Sequence, residues 1–126
     1  MPLLNYTTQI SAQKTVSEIT ALLVRAKAEF GAMTFRLPSN VDQVYKILQR
    51  QHLRVPRSLR TLEQANRVAW RIVKDWTEAQ LAMIECGLVD VAQIFLPYAQ
   101  DASGKTVYEH LKEQRFSEYL LSEKSQ

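Results

Sequence analysis

The feature that most constrains this fold is a stretch, residues 61–86, that has the signs of one long helix. Thr61 stands three residues before Gln64, as in a capping box, and Gly87 suits the left-handed backbone at a helix end. A helix of that length spans about 39 Å at 1.5 Å per residue. Its apolar residues recur at steps of three and four: Leu62, Ala65, Ala69, Ile72, Trp76, Ala79, Met83 and Cys86. We therefore predict a central helix over about 61–86 with this stripe in the core.

Two segments before this helix have the composition of strands. LLNYTTQI (residues 3–10) is rich in β-branched and aromatic residues, and AMTFRL (residues 32–37) alternates between apolar and polar side chains before Pro38. A two-strand sheet is marginal by itself, so it must lie on the helices or have its edge completed by a second copy in a homo-oligomer.

The remaining helices are predicted from their capping residues. TVSE (residues 15–18) predicts a helix over about 15–28 with Thr15 as its cap, and Ser11 is a competing cap one turn earlier. Helices are also predicted after three further caps: Asn40, Asp90 and Thr106. The predicted fold is a single α+β domain over residues 1–126, a small two-strand βαβ unit followed by four helices.

Composition limits the class of protein. A chain of 126 residues with 46% hydrophobic residues is long enough to bury a core without a disulfide or metal. We predict a cytoplasmic protein that does not enter a membrane. Cys86 is the single cysteine, the N-terminus lacks the features of a signal peptide, and the sequence contains no long apolar run.

The charge is distributed unevenly along the chain. Residues 46–74 carry eight basic side chains against one carboxylate, a net charge of +7, whereas residues 75–126 carry a net charge of −5. In the basic segment Arg outnumbers Lys six to two, and the planar guanidinium suits phosphate and carboxylate partners. The predicted binding residues are Arg50, Arg54, Arg57, Arg60, Arg67, Arg71 and Lys74.

These residues fall in two places on the predicted fold. Val55-Pro56 cannot lie inside a helix, so residues 52–60 are a connection between helices. On the long helix the spacing of Arg67, Arg71 and Lys74 puts them on one line opposite the apolar stripe, so we predict that they face outward.

Three interpretations of the arginines remain open. They bind nucleic acid, either DNA or RNA, or they dock on an acidic protein surface, as an inhibitor or adaptor would. In the third, they are a solvated or internally paired surface, in which Arg57 or Arg60 meets the acidic C-terminal segment. Trp70 lies beside the basic line and could stack on a base, although burial in the core is favoured for it and for Trp76.

The sequence does not indicate an enzyme. SGKT (residues 103–106) resembles the end of a phosphate-binding loop, but Ala99 stands where that loop needs glycine, so a turn followed by an N-cap threonine is the better interpretation. Cys86, His52 and His110 are too few and too scattered for a zinc site. Cys86 is expected in the core, and His110 has no partner identifiable from the sequence. We predict no catalytic residue, metal or cofactor.

Several blocks of the sequence resemble a known family. PRSLRT (residues 56–61), VAWRIVKDW (residues 68–76) and FLPY (residues 95–98), together with FRLP (residues 35–38), are similar to small uncharacterised proteins of phages, prophages and mobile elements of bacteria. The resemblance implies a mobile-element context and no particular activity. Members of the family have a further β-hairpin before the FRLP block, which this chain lacks.

Overall fold

Helices form most of the chain that the structure, a computed structural model, describes: residues 1–30 and 34–115, without the side chains of residues 25–30 and 34. The α-helices there are α1 (Ala12–Phe30), α2 (Val41–Arg50), α3 (Leu62–Glu85), α4 (Val91–Phe95) and α5 (Val107–Glu113). Two 3₁₀ turns lie at Arg57–Leu59 and Leu96–Tyr98. The strands β1 (Thr34–Phe35) and β2 (Ala99–Gln100) pair antiparallel, with Phe35 opposite Ala99.

The long helix is present where the sequence predicts it. The Thr61 hydroxyl accepts a hydrogen bond from the Gln64 amide at 3.1 Å, and the chain leaves α3 through Gly87 at a φ of +74°. Helices α1 and α2 both pack against α3, which is therefore the centre of the fold.

The predicted apolar stripe of α3 is only partly correct. Ala65 and Ala69 are buried, but Ala79, Met83 and Cys86 are exposed. The second half of α3 instead packs through Trp76, Leu81 and Ile84 against the cluster around Phe95 of α4. A regular spacing shows that a helix has an apolar face, but the neighbouring elements decide which part of it is covered. The expectation that Cys86 lies in the core is therefore wrong.

Two apolar clusters hold the helices together. In one, the fully buried Phe95 packs with its ring centroid 5.8 Å from that of Phe35 and 5.7 Å from that of Trp76. The other contains Leu48, Val55 and Ala65, and it joins α2, the connection after it and the start of α3. The second cluster therefore lies at both ends of the connection between α2 and α3.

The predicted first strand, residues 3–10, is wrong, and with it the βαβ unit. The segment forms turns, in which the Thr8 amide donates to the Asn5 carbonyl at 3.0 Å and Asn5 has a φ of +65°. The Gln64 side chain donates to the carbonyls of Tyr6 and Thr8, at 3.0 and 2.8 Å. A side-chain amide thus takes the acceptors that a strand would offer to a partner strand. The predicted α+β class is therefore wrong: over the described residues the fold is mostly helical, and its strands there are two residues long.

Helix caps were predicted with mixed success. Asn40, Asp90 and Thr106 cap α2, α4 and α5 as predicted, each accepting a hydrogen bond from the third residue of its helix. Helix α1 starts after Ser11, the competing cap, whose hydroxyl accepts from the Lys14 amide at 3.1 Å, and Thr15 is buried one turn inside the helix. The predicted capping box of residues 15–18 is therefore wrong.

The second predicted strand is present as β1, although residues 31–33 lie outside the described residues, as do residues 116–126 of the predicted last helix. Homo-oligomerisation through a sheet edge stays a prediction, and the described strands that could provide the edge are two residues long. Over the described residues, every helix is too short or too polar to cross a lipid bilayer.

Candidate functional site

The predicted basic residues of α3 are used inside the protein. The Arg71 guanidinium lies 2.9 Å from a Glu18 carboxylate oxygen, and the Lys74 ammonium lies 3.1 Å from the same oxygen and 2.6 Å from Glu78. The side chains of Arg71 and Lys74 are 14% and 15% exposed. The prediction that they face outward is wrong because α1 packs over this side of α3 and brings Glu18 to them. We call Glu18, Arg71, Lys74 and Glu78 the ion cluster.

Two members of the ion cluster, Glu18 and Lys74, have pKa values shifted in the direction that favours their charged forms. The hydrogen bond from Lys74 holds the pKa of Glu18 below its ordinary value, with Arg71 adding to the effect, while desolvation acts in the opposite direction. The hydrogen bond to Glu78 raises the pKa of Lys74, and Glu18 adds to it. Glu18 and Lys74 therefore each stabilise the charged form of the other, and their contact joins α1 to α3.

Arg67 is also engaged within the protein. Its guanidinium lies 2.5 Å from a carboxylate oxygen of Glu63, one helical turn earlier, and donates to the Gln64 side chain at 3.1 Å. Glu63, Glu18 and Glu78 thus offset three of the eight cations in residues 46–74, which leaves five.

The remaining five cations lie on the last turns of α2 and on the connection that follows. We call them the basic patch: Lys46, Arg50, Arg54, Arg57 and Arg60. Arg60 is partly buried and the other four are exposed. No carboxylate of the described residues lies within 4.0 Å of any of them. The internal pairing that we considered for Arg57 and Arg60 is thus absent over the described part of the acidic segment.

Lys46 is the member of this patch that the list of predicted binding residues omits. It stands four residues before Arg50 on α2, a spacing that places the two side chains next to each other on the helix surface. The four-residue spacing can be read from the sequence, so it could have added Lys46 to the predicted binding residues.

The fold anchors both ends of the connection between α2 and α3. After α2 the Val55 amide donates to the Gln51 carbonyl at 2.8 Å, and the Val55 side chain is buried in the second apolar cluster. At the other end the Gln49 side chain donates to the Arg60 carbonyl. The residues between these anchors, including Arg57, are held at the surface. The predicted connection between helices is confirmed.

Arg60 has an unused donor. Of the buried side-chain nitrogen and oxygen atoms in the described residues, its Nε is without a hydrogen-bond partner. A buried N–H without a partner is costly, because it has left water without replacing that interaction.

Two shallow depressions open on the described surface. One, of about 410 Å³, is lined by Gln43, Tyr45, Lys46, Gln49 and Arg50. The other, of about 570 Å³, includes Trp70, Tyr98 and Tyr108 in its lining and shares no residue with the first. Trp76 packs in the core as expected, whereas Trp70 is half-buried on the second depression, away from the basic patch.

The polar groups near α5 hold a turn together. Asp101 accepts from the Ser103 hydroxyl at 2.6 Å and the Ser103 amide at 2.8 Å, and it contacts His110. These hydrogen bonds, from Ser103 first and His110 next, lower the pKa of Asp101. The Ser103 hydroxyl points to the carboxylate and makes no hydrogen bond to the imidazole, so the pair lacks the geometry of a nucleophile and its base.

The interpretation of SGKT as a turn before an N-cap is confirmed. The Gly104 amide donates to the Asp101 carbonyl at 3.0 Å, and Thr106 and Glu109 form a capping box at the start of α5. Across the described residues, no group of three His, Cys, Asp or Glu side chains is placed to hold a metal ion.

Comparison of the chain with protein-family models, curated proteins and solved structures gives no match. The resemblance to mobile-element proteins therefore stays a prediction, and the case for a function rests on the residues themselves.

Proposed function

We propose that this protein is a non-enzymatic accessory protein of a phage or mobile element that binds nucleic acid through the basic patch. The observation that supports this most is the contrast between the two sets of cations. Those of α3 each have a carboxylate partner, whereas the five of the basic patch have none among the described residues. Uncompensated guanidinium groups on one short segment favour a polyanionic ligand.

The size of the patch sets the expected salt dependence. Each phosphate contact contributes about −0.9 to the slope of log affinity against log salt for a duplex and about −0.7 for a single strand. Five contacts give limiting slopes of about −4.5 and about −3.5. Binding should therefore be modest and strongly dependent on salt.

Fluorescence anisotropy of a labelled oligonucleotide tests the proposal. The protein is titrated at about 50, 100 and 200 mM salt, a range over which counterion release gives a measurable slope. The double variant Arg54→Ala/Arg57→Ala removes two exposed cations of the patch. We expect it to bind at least about tenfold more weakly at 100 mM salt and to make the slope less steep by roughly 1.4 to 1.8.

A matched double variant, Lys14→Ala/Lys112→Ala, removes the same number of charges from exposed positions outside the patch. It should bind with an affinity within about twofold to threefold of the wild type, because only long-range charge is lost. Equal losses for both double variants, or no binding by the wild type at the lowest salt, would contradict the proposal.

The second candidate function is docking on an acidic protein surface. Leu53, next to Arg54, is 89% exposed, and Leu62 at the start of α3 is 55% exposed. Exposed leucines among arginines are typical of a protein interface, in which apolar anchors and guanidinium groups act together.

Pull-down from a nuclease-treated lysate separates the two functions. For protein docking, a partner is retained after nuclease treatment and lost with Leu53→Ser, since that change removes an apolar anchor and leaves every charge. For nucleic-acid binding, Leu53→Ser has the affinity of the wild type in the anisotropy titration.

A further inference from the structure

The depression on α2 combines an aromatic face with positive charge. It is lined by Gln43, Tyr45, Lys46, Gln49 and Arg50, and its volume of about 410 Å³ lies in the range of small-molecule sites, about 300–1,000 Å³. Tyr45 is partly buried, packed against the second apolar cluster, and also lines the depression. The core therefore fixes the ring while part of its surface stays accessible.

The spacing on α2 orders these side chains into two rows. Tyr45 and Gln49 are four residues apart and lie one above the other, and Lys46 and Arg50 form the neighbouring row. An aromatic ring thus lies beside a pair of cations along the helix surface. A planar ring of a ligand can stack on the first row while anionic groups attached to it reach the second.

Gln49 connects the depression to Arg60. Its side chain lines the depression and donates to the Arg60 carbonyl, which fixes the connection against α2 at that point. Arg60 itself is not among the residues that line the depression. The cations that line the depression are those of α2, Lys46 and Arg50.

We infer that this depression binds single-stranded nucleic acid, with one base stacked on Tyr45 and the adjoining phosphates held by Lys46 and Arg50. The inference rests on the proposed function and names its substrate class. An aromatic face beside a positively charged groove is the combination with which proteins hold unpaired strands, whereas the bases of a duplex are already stacked on each other.

The first turn of α2 argues against a duplex. Asp42 is exposed there, four residues before Lys46 and in the same row, so a stiff duplex laid along α2 would meet a carboxylate, whereas a flexible single strand can bend away from it. The cations occupy only the later part of α2, from Lys46 onward. The amides of Gln43 and Gln49 line the depression and supply donors and acceptors suited to the edges of a base.

Anisotropy titrations with a labelled oligothymidine of 12 nucleotides and a duplex of equal length test the inference. At about 100 mM salt the wild type is expected to bind the single strand at least about fivefold more tightly than the duplex. Tyr45→Leu, which keeps apolar packing and removes the aromatic face, should weaken single-strand binding by roughly fivefold to a hundredfold and duplex binding by less than about twofold. Tyr45→Phe keeps the face and should stay within about twofold.

The outcomes separate this inference from the proposed function. Equal affinity for both oligonucleotides, or unchanged single-strand binding by a folded Tyr45→Leu variant, overturns the inference, while the proposed function stands if Arg54→Ala/Arg57→Ala still weakens binding. No binding of either oligonucleotide overturns both. Thermal melting followed by circular dichroism shows whether Tyr45→Leu is folded, and the single-strand preference of the wild type decides the question without any variant.

Discussion

Gln64 is the residue whose replacement tests the fold most directly. It is 3% exposed at the start of α3, and its side chain donates to the carbonyls of Tyr6 and Thr8 and accepts from Arg67. One side chain therefore holds the N-terminal segment on the central helix. Gln64→Met keeps the length of the side chain and removes all three hydrogen bonds, so it isolates their contribution.

The expected loss follows from these contacts. Each net hydrogen bond contributes about 0.5–1.5 kcal/mol, and the two carbonyls lose their donor in a partly buried setting. The better burial of Met offsets a fraction of this, which leaves a destabilisation of about 2 kcal/mol. For a domain of this size that corresponds to a fall in Tm of roughly 8 °C. Gln64→Glu should cost more, because a buried carboxylate would face two carbonyl oxygens.

Equilibrium unfolding in urea, followed by tryptophan fluorescence, measures the difference. The control is Gln13→Met on the exposed surface of α1, which should change the free energy of unfolding by less than about 0.5 kcal/mol. A Gln64→Met variant as stable as this control would refute the reasoning. So would Gln64→Glu being the more stable of the two Gln64 variants.

Three further substitutions test other parts of the fold. Glu18→Gln should lower the Tm at pH 7. The difference from wild type should become smaller as the pH falls through the lowered pKa of Glu18, because this carboxyl stabilises the fold only where it is ionised. Thermal melts at pH 7 and pH 3 measure the difference. Phe95→Ala should cost about 3–5 kcal/mol in urea unfolding, since the ring is fully buried between Phe35 and Trp76. Gly87→Ala should cost roughly 1 kcal/mol from its φ of +74° alone, because an added Cβ would contact nothing within 4 Å.

The features predicted correctly are those that depend on a few neighbouring residues. Thr61, Asn40, Asp90 and Thr106 each accept a hydrogen bond from an amide three positions later, and that chemistry is complete within one helical turn. Gly87 ends α3 for an equally local reason. Such signals do not require knowledge of the rest of the fold.

The errors come from partners that are distant in sequence. LLNYTTQI has the composition of a strand, but its conformation depends on Gln64, more than 50 residues later. TVSE has the spacing of a capping box, but Glu18 is drawn to α3 by Arg71 and Lys74, and Ser11 is left to start the helix. In both cases a polar group that could bond to a local partner bonds instead to a residue of α3, far away in the sequence.

The same cause explains the partial failure of the predicted site. A helical projection assigns Arg71 and Lys74 to the outer face by their angle from Ala69, but α1 packs against α3 and its Glu18 meets both side chains. Arg54 and Arg57 lie on the predicted connection, and both are exposed there. Charge counted along the sequence therefore overstates the charge available to a partner.

This difference can be measured in the salt dependence of binding. Eight cations in contact with a single strand would give a slope of about −5.6, and the five of the basic patch give about −3.5. A slope near the larger value requires Arg71 and Lys74 to leave Glu18, so α1 would have to move away from α3 when nucleic acid binds. If the slope of the wild type is instead near −3.5, we expect Glu18→Gln to make it steeper, because this change frees Arg71 and Lys74 from the Glu18 carboxylate. If Glu18→Gln leaves the slope unchanged, the α3 cations stay covered by α1 even without their carboxylate, and packing alone excludes them from the binding surface.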